Sequence, residues 1–186
     1  MTLTPWTLPL HTRRFVLRDV CHKDEPAFAR YQTDVDFAAH HLPGEKGIEH
    51  ARAVFRQFLA WQAERPRRRF QLAVCRAADP SAMVGSCGVR LEGVGREAEF
   101  GIELARPYWG RHGYAVEIAG AVIDFAFAQL EVDTLTAETA PSNAVAARLA
   151  QAAGFRPALG DAKDRWRLER HSWCTVREKA PWTDIR

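Results

Sequence analysis

Apolar residues along the chain recur in some stretches with a period of two, typical of strands, and in others with a period near 3.6, typical of helices. The clearest helical stretch covers residues 115–130. On either side of it, Glu97–Leu104 and Thr134–Thr139 alternate apolar with polar residues and are predicted to be strands. A strand, a helix and a strand in this order place the two strands parallel. The carboxyl ends of both strands and the start of the helix therefore face one edge, where open α/β sheets bind ligands.

Shorter patterns predict the remaining elements. Further helices are expected at residues 24–31, with Asp24 as the N-cap, at residues 48–65 and at residues 143–154. Further strands are expected at residues 14–20, 70–76, 83–91 and 165–178. The expected fold class is therefore α/β, with a mixed, splayed central sheet of about six or seven strands flanked by helices.

Length and composition indicate one folded domain over residues 1–186. The chain is 47% hydrophobic and 26% charged, and its formal charge of +3 is too small to indicate nucleic acid as the main partner. Signal-peptide and membrane-helix patterns are not found, so we expect a cytoplasmic protein without a membrane partner. The four cysteines are scattered and form no CxxC pair, so no metal site is expected. The oligomeric state stays open, with a homodimer among the alternatives.

The loop before the long helix has the composition of an anion site. It reads Trp109-Gly110-Arg111-His112-Gly113, which combines glycines and positive charge. Unpaired backbone N–H groups and the helix dipole favour negative charge at a helix start, and glycines let a phosphate approach the backbone. The alternative is that both glycines only turn the chain, and spacing alone does not decide between the two interpretations.

Several separated segments, in matching order and spacing, resemble the ribosomal-protein-acetylating branch of the GNAT family of N-acetyltransferases. They are residues 12–18 (TRRFVLR), 98–102 (AEFGI), 107–110 (PYWG), 113–117 (GYAVE), Asn143 and the Gly154-Phe155 pair. The resemblance spans roughly residues 12–178. It implies the GNAT fold, acetyl-CoA as cofactor, and direct transfer of the acetyl group to a primary amine. The acceptor, a small-molecule amine or a protein N-terminus, is not identified by the sequence.

The resemblance also implies which residues contact coenzyme A. The expected pyrophosphate contacts are Arg111, His112, Gly113, Tyr114 and Ala115. The expected contacts with the pantetheine arm are Ile102, Glu103 and Leu104, and Asn143 is expected to reach the cofactor from the other side. The chain departs from the family pattern at two positions: His112 adds one residue to the loop, and Ala146 replaces a serine thought to protonate the departing thiolate.

Attack by an amine requires its neutral form, so a carboxylate that accepts the amine's proton is useful. Glu99 is the first candidate, because it lies on the acidic face of the strand before the loop and matches the family's glutamate. Glu103 shares that face by the period of two, and Glu138 is a more remote candidate. The alternative is that these carboxylates only solvate the sheet. A backbone N–H near Ile102 is the candidate for holding the thioester oxygen.

Two other functions compete with this one. Ala146 and the altered loop indicate a catalytically weak coenzyme A-binding or protein-interaction module as the alternative. The cluster Arg65, Arg67, Arg68 and Arg69 permits a nucleic-acid interpretation, although a solvated strand entrance explains it more simply. The resemblance further implies that residues 48–65 form the wall of the acceptor site, because in that family the segment between the first two strands varies with the substrate.

Overall fold

The computed structural model describes residues 7–39, 43–91, 93, 95–110, 112–158 and 164–179, whose strands form one eight-stranded sheet. The strands are β1 Leu10–His11, β2 Phe15–Asp19, β3 Arg69–Arg76, β4 Asp79–Leu91, β5 Glu97–Leu104, β6 Thr134–Thr139, β7 Arg156–Pro157 and β8 Asp164–Glu169. The α-helices are α1 Glu25–Gln32, α2 Val35–Ala38, α3 Ile48–Gln62, α4 Tyr114–Gln129, α5 Ala144–Ala152 and α6 Arg170–Lys179. Short 3-10 helices lie at His22–Asp24, Pro43–Glu45 and Arg106–Tyr108.

The strand order in the sheet is β1-β2-β3-β4-β5-β6-β8-β7. Strands β5 and β6 are parallel and the other neighbours are antiparallel, which confirms the parallel strand–helix–strand unit. The expected α/β class and helix-flanked sheet are confirmed, but the sheet has more strands than the six or seven expected. The additional strands are the edge strands β1 and β7, which at two residues each are too short to show a period.

Strands β5 and β6 separate along their length. Their register contains three pairs, from Glu97 opposite Thr134 to Glu99 opposite Thr136. Beyond these pairs β5 continues to Leu104, still paired with β4, whereas β6 continues to Thr139 beside β8. The sheet is therefore splayed at this point, with an opening between the two parallel strands.

Helices cover the two faces of the sheet unequally. On the back face, α4, α5 and α6 pack on the sheet through an apolar core that includes Ile118, Val122 and Phe125. The strands that contribute to this core are β2, β3, β4, β5, β6 and β8. On the front face, Phe28 of α1 and Phe55 of α3 pack over β2, β3 and the start of β4. Strands β5, β6 and β8 present polar and charged side chains on the front. The opening is thus apolar behind and polar in front.

Two local predictions need correction. Asp24 holds the N-cap position of α1, as expected, but its side chain makes no capping hydrogen bond. Its carboxylate instead accepts two hydrogen bonds from Arg18, both at 2.8 Å, and one from the Cys21 N–H. Residues 170–178, expected to continue the last strand, form α6. The period of two ends with β8, so the strand ends there. In α6 Trp173 is buried, and its indole donates a hydrogen bond to the Asp124 carboxylate of α4 at 2.8 Å. Among the described helices, none has the length and apolar character needed to cross a membrane.

Candidate active site

The start of α4 carries backbone N–H groups that lack helical partners. Helical hydrogen bonding begins with the Glu117 N–H, which donates to the Gly113 carbonyl at 3.0 Å, so the N–H groups of Tyr114 and Ala115 precede it. Gly113 has φ 68°, and a Cβ built on it would meet no described atom within 4 Å. The space beside Gly113 is therefore open, next to N–H groups of the kind that favour an anion at a helix start.

The residue that lengthens the loop adopts left-handed backbone geometry. His112 has φ 51°, between Gly110 at 61° and Gly113 at 68°. Its carbonyl accepts a hydrogen bond from the Arg14 guanidinium at 2.7 Å. The loop therefore accommodates the extra residue through a left-handed backbone conformation at His112. Arg111 lies outside the described residues.

The edge of β5 that faces the opening keeps backbone groups available to a ligand. The Ala105 N–H donates to Val84 across β4 at 2.8 Å, and backbone groups alternate between the two neighbours of a strand. The N–H and C=O groups of Ile102 and Leu104 therefore point towards the opening, whereas those of Glu103 point to β4. The Leu104 carbonyl accepts a hydrogen bond from the Trp109 indole at 2.6 Å, which fastens the loop to the end of β5.

The front face of β5 carries the two candidate bases. Glu99 forms an ion pair with Arg90 of β4. Glu103 accepts hydrogen bonds from the Gln32 amide at 2.7 Å and from the Tyr31 hydroxyl at 3.3 Å, both at the end of α1. Gly101 lies between them on the same face, and a Cβ built there would meet no described atom within 4 Å. A slot therefore separates the two carboxylates.

Burial changes the proton affinity of the groups around Glu103. It raises the pKa of the Glu103 carboxyl, against the opposing effect of the hydrogen bonds from Tyr31 and Gln32. It raises the pKa of Tyr31 well above its usual value as well, and the neighbouring negative charge of Glu103 adds to that effect. The Tyr31 hydroxyl is also 3.2 Å from the Ser86 hydroxyl. Glu103 thus belongs to a polar network under α1, and its carboxyl holds a proton more tightly than an ordinary glutamate does.

A cavity of about 240 Å³ opens where β5 and β6 begin to separate. Its lining consists of Glu97, Ala98, Glu99, Thr136, Ala137, Glu138 and Arg165. Glu138 pairs with Arg165 and Glu97 with Arg167, each at 3.1 Å. With the Arg90 contact of Glu99, each of the three carboxylates in the lining thus has an arginine partner. None of the described residues of α3, expected as the acceptor wall, belongs to this lining, because α3 packs over β3.

The start of α5 lies on the other side of the opening. The Asn143 side-chain oxygen accepts a hydrogen bond from the Ala146 N–H at 3.0 Å and so caps the helix. Its amide NH₂ group is the part left to contact a cofactor. Ala146 has only a methyl group at the position where the resembling branch often has serine.

The arginine cluster that permitted a nucleic-acid interpretation is used within the protein. Arg67 pairs with Asp19, with contacts of 2.6 and 3.0 Å, and Arg69 pairs with Glu64. Arg68 donates to a backbone carbonyl. These contacts favour the structural explanation of the cluster.

Cysteines and metal ligands show no further site in the described part of the chain. Cys75 and Cys87 are buried, Cys21 and Cys174 are exposed, and all four are free thiols. Burial raises the pKa of Cys75 to about 11, so it carries little thiolate at neutral pH. Within the described ranges, His, Cys, Asp and Glu side chains form no group of three or more that could hold a metal ion.

Sequence patterns placed the two carboxylates on one face but did not identify their partners. Arg90 contacts Glu99 from the neighbouring strand, and Tyr31 and Gln32 contact Glu103 from α1. The last contact joins residues 71 positions apart, so no local pattern could reveal it. A signal was present for one further residue: Glu117 is a charge inside a predominantly apolar helix, and a buried charge requires a partner.

Comparison with known proteins shows to which family the chain belongs. Residues 14–156 match the family model of the acetyltransferase (GNAT) domain. YoaA of Bacillus subtilis (strain 168), described as an uncharacterized N-acetyltransferase, is 28% identical over 149 residues, which cover 79% of this chain and 82% of that protein.

Two solved structures share the fold. The acetyltransferase from Agrobacterium tumefaciens superposes with a TM-score of 0.72 at 23% identity, covering 91% of this chain and 99% of that one. RimJ of Mycobacterium smegmatis, solved in complex with CoA-disulfide, has a TM-score of 0.68 at 19% identity, covering 88% and 86%. The chain therefore belongs to the GNAT family of acetyltransferases, which makes it an acyltransferase with acetyl-CoA as the acyl donor, as its sequence indicates.

Proposed function

We propose that the protein transfers the acetyl group of acetyl-CoA directly to a primary amine that enters the front-face cavity between β5 and β6. The observation that carries this proposal is the separation of β6 from β5, at the end of β5 to which the Trp109 indole fastens the loop before α4. The opening thereby brings carboxylates and free backbone groups of β5 close to the loop that leads into a helix start. Acetyl transfer from a phosphate-containing cofactor can use all three features.

The cofactor supplies an acetyl group activated as a thioester. The open helix start supports a pyrophosphate contact with the loop, whose proposed residues are Arg111, His112, Gly113, Tyr114 and Ala115. The backbone direction of Ile102 and Leu104 supports contact with the pantetheine arm, and the Ile102 N–H is proposed to hold the thioester oxygen. Glu103 would contact the arm through its side chain, and Asn143 through its amide NH₂ group.

Glu99 is the proposed base, with Glu103 as second candidate. Glu99 belongs to the cavity lining, so an amine in the cavity lies within its reach. Burial raises the pKa of Glu103, but its carboxylate already accepts hydrogen bonds from Tyr31 and Gln32. Because proton transfer requires contact first, the reach of Glu99 gives it precedence.

The carboxylates of the cavity support an amine acceptor. A carboxylate close to a bound ammonium group can accept the proton that must leave before attack. A small-molecule amine and an exposed protein N-terminus both meet this requirement.

A thiol-release assay with acetyl-CoA and a panel of amines tests the proposal. The panel should include polyamines, aminoglycosides, amino acids and short peptides with free N-termini. We expect release of coenzyme A that depends on a cationic amine, and the acetylated product by mass spectrometry. Binding of acetyl-CoA without turnover on any acceptor would favour the weak coenzyme A-binding module instead.

We further propose that the protein works in the cytoplasm. Four free thiols, two of them exposed, support a reducing compartment. Alkylation of Cys21 and Cys174 by a membrane-permeant reagent in intact cells, and not by an impermeant one, tests the location.

A further inference from the structure

Glu117 is a buried carboxylate one turn into α4, with 6% of its surface exposed. Its partners come from the chain segment just before β2. It accepts hydrogen bonds from the Thr12 hydroxyl at 2.7 Å and from the Arg14 N–H at 2.8 Å. The Arg14 guanidinium completes the set with an Nε contact of 2.6 Å. A buried carboxylate with these charge-assisted partners fixes the start of α4 against the segment before β2.

The same guanidinium reaches the loop. One Arg14 Nη donates to the His112 carbonyl at 2.7 Å, and the guanidinium carbon lies 4.4 Å from the centroid of the Tyr114 ring. Arg14 therefore contacts the loop, the first residue of α4 and a carboxylate in the first turn of that helix. A planar guanidinium with several donors can make these contacts at once, whereas an ammonium cannot.

These contacts lie beside an unfavourable backbone conformation in the loop. His112 is the extra residue of the loop, and its left-handed geometry is uncommon for a residue other than glycine. Such geometry persists where surrounding contacts determine it. The Arg14 hydrogen bond to the His112 carbonyl is a contact of this kind, one peptide bond away from Gly113.

We propose that Arg14 is a positioning residue for coenzyme A, because it orients the backbone N–H groups that follow His112 towards the pyrophosphate. The proposal rests on the proposed function for the place of the pyrophosphate. Glu117 neutralises the charge of Arg14, so Arg14 acts through the geometry of the loop rather than by attracting phosphate. Lysine at the position distinguishes the two roles: it would restore affinity if charge alone mattered, and it should fail to do so if the geometry of the guanidinium matters.

The test compares dissociation constants of coenzyme A and pantetheine, which lacks the phosphates, for Arg14→Gln, Arg14→Lys and the wild-type protein. We expect both variants to bind coenzyme A about tenfold more weakly, the factor that corresponds to about 1.4 kcal/mol. Pantetheine binding, followed by thermal shift at high ligand concentration, should not change. Lysine should fail to restore affinity although it keeps the charge.

Arg18→Gln is the matched control. Arg18 lies in β2 and pairs with Asp24, with exposed side-chain fractions of 23% and 1%, against 25% and 7% for Arg14 and Glu117. Its removal should lower stability to a similar extent without changing coenzyme A affinity. Full affinity in Arg14→Lys, equal losses in the Arg14 and Arg18 variants, or equal losses for coenzyme A and pantetheine would each overturn the proposal. Wild-type protein that binds no coenzyme A would overturn the proposed function with it, whereas unchanged affinity in Arg14→Gln would overturn this proposal alone.

Discussion

Glu99 and Glu103 project from the same face of β5, yet their carboxylates face different surroundings. Glu99 contacts Arg90 and lines the cavity. Glu103 accepts hydrogen bonds from α1, and burial raises its pKa. Because the two environments differ, substitutions at the two positions should have separable effects on catalysis and on stability.

Replacement of Glu99 by glutamine should lower the acetylation rate at pH 7 by roughly 10²- to 10⁴-fold, because it removes the base but keeps the shape. The defect should shrink as pH rises towards the pKa of the amine, since solvent then removes the proton. Glu97→Gln is the control, as Glu97 lines the same cavity. The measurement is a pH–rate profile of each variant with coenzyme A affinity checked separately. Normal activity at pH 7 would eliminate Glu99 as base, and an equal loss at every pH would make it a substrate-positioning residue.

Replacement of Glu103 by glutamine should stabilise the protein at pH 7. The raised pKa means that the folded state holds this proton more tightly than the unfolded state does. The wild-type protein therefore loses stability as the pH rises above about 4.3, the pKa of this carboxyl in the unfolded state. Below that pH both states of the wild-type protein are protonated, and the advantage of glutamine should vanish. Denaturant unfolding of both proteins across this range measures the difference. A variant less stable than wild type at pH 7 would show that the hydrogen bonds to the charged carboxylate outweigh its burial.

Replacement of Gly101 by valine should block the slot between the two carboxylates. The position has room for a side chain, and its backbone conformation is one that other residues adopt, so the fold should be retained. Turnover should fall because the side chain occupies the space proposed for the amine, while coenzyme A affinity should stay near the wild-type value. Gly101→Ala should give a smaller loss. Steady-state kinetics and a coenzyme A titration measure the two effects. Intact turnover in Gly101→Val would contradict the proposed slot.

Replacement of Gly113 by aspartate should weaken coenzyme A binding at the start of α4. Asparagine is the matched control, because both residues tolerate the left-handed geometry of Gly113 and have nearly the same size. The ratio of their dissociation constants isolates the effect of negative charge beside the pyrophosphate. Equal affinities for the two variants would place the phosphates elsewhere.

The extent to which the sequence predicts the structure depends on how many residues carry each pattern. Strands Glu97–Leu104 and Thr134–Thr139 and helix Tyr114–Gln129 are long enough for their periods to be read, and each was found within one residue of its predicted bounds. The two-residue edge strands carry no period. The sequence predicts a strand where the helix Arg170–Lys179 lies, because the large apolar residues of this helix follow a true strand without a break.

For the candidate site, the period of two places Glu99 and Glu103 together, because that property is local. Their partners depend on how α1 and β4 approach β5, which only tertiary packing determines. The Arg14 contacts with His112 and Glu117 are of the same kind, since they join residues 98 and 103 positions apart.

The separation of β5 from β6 also has a consequence for the cooperativity of unfolding. Three residue pairs join the β1–β5 part of the sheet to β6, β8 and β7. A ligand whose amide arm occupies the free edge of β5 and whose other side contacts α5 would add bonds across this junction. Native-state hydrogen exchange should then show β6 and β8 opening ahead of β3 and β4 in the free protein, and the two parts exchanging as one unit once coenzyme A is bound.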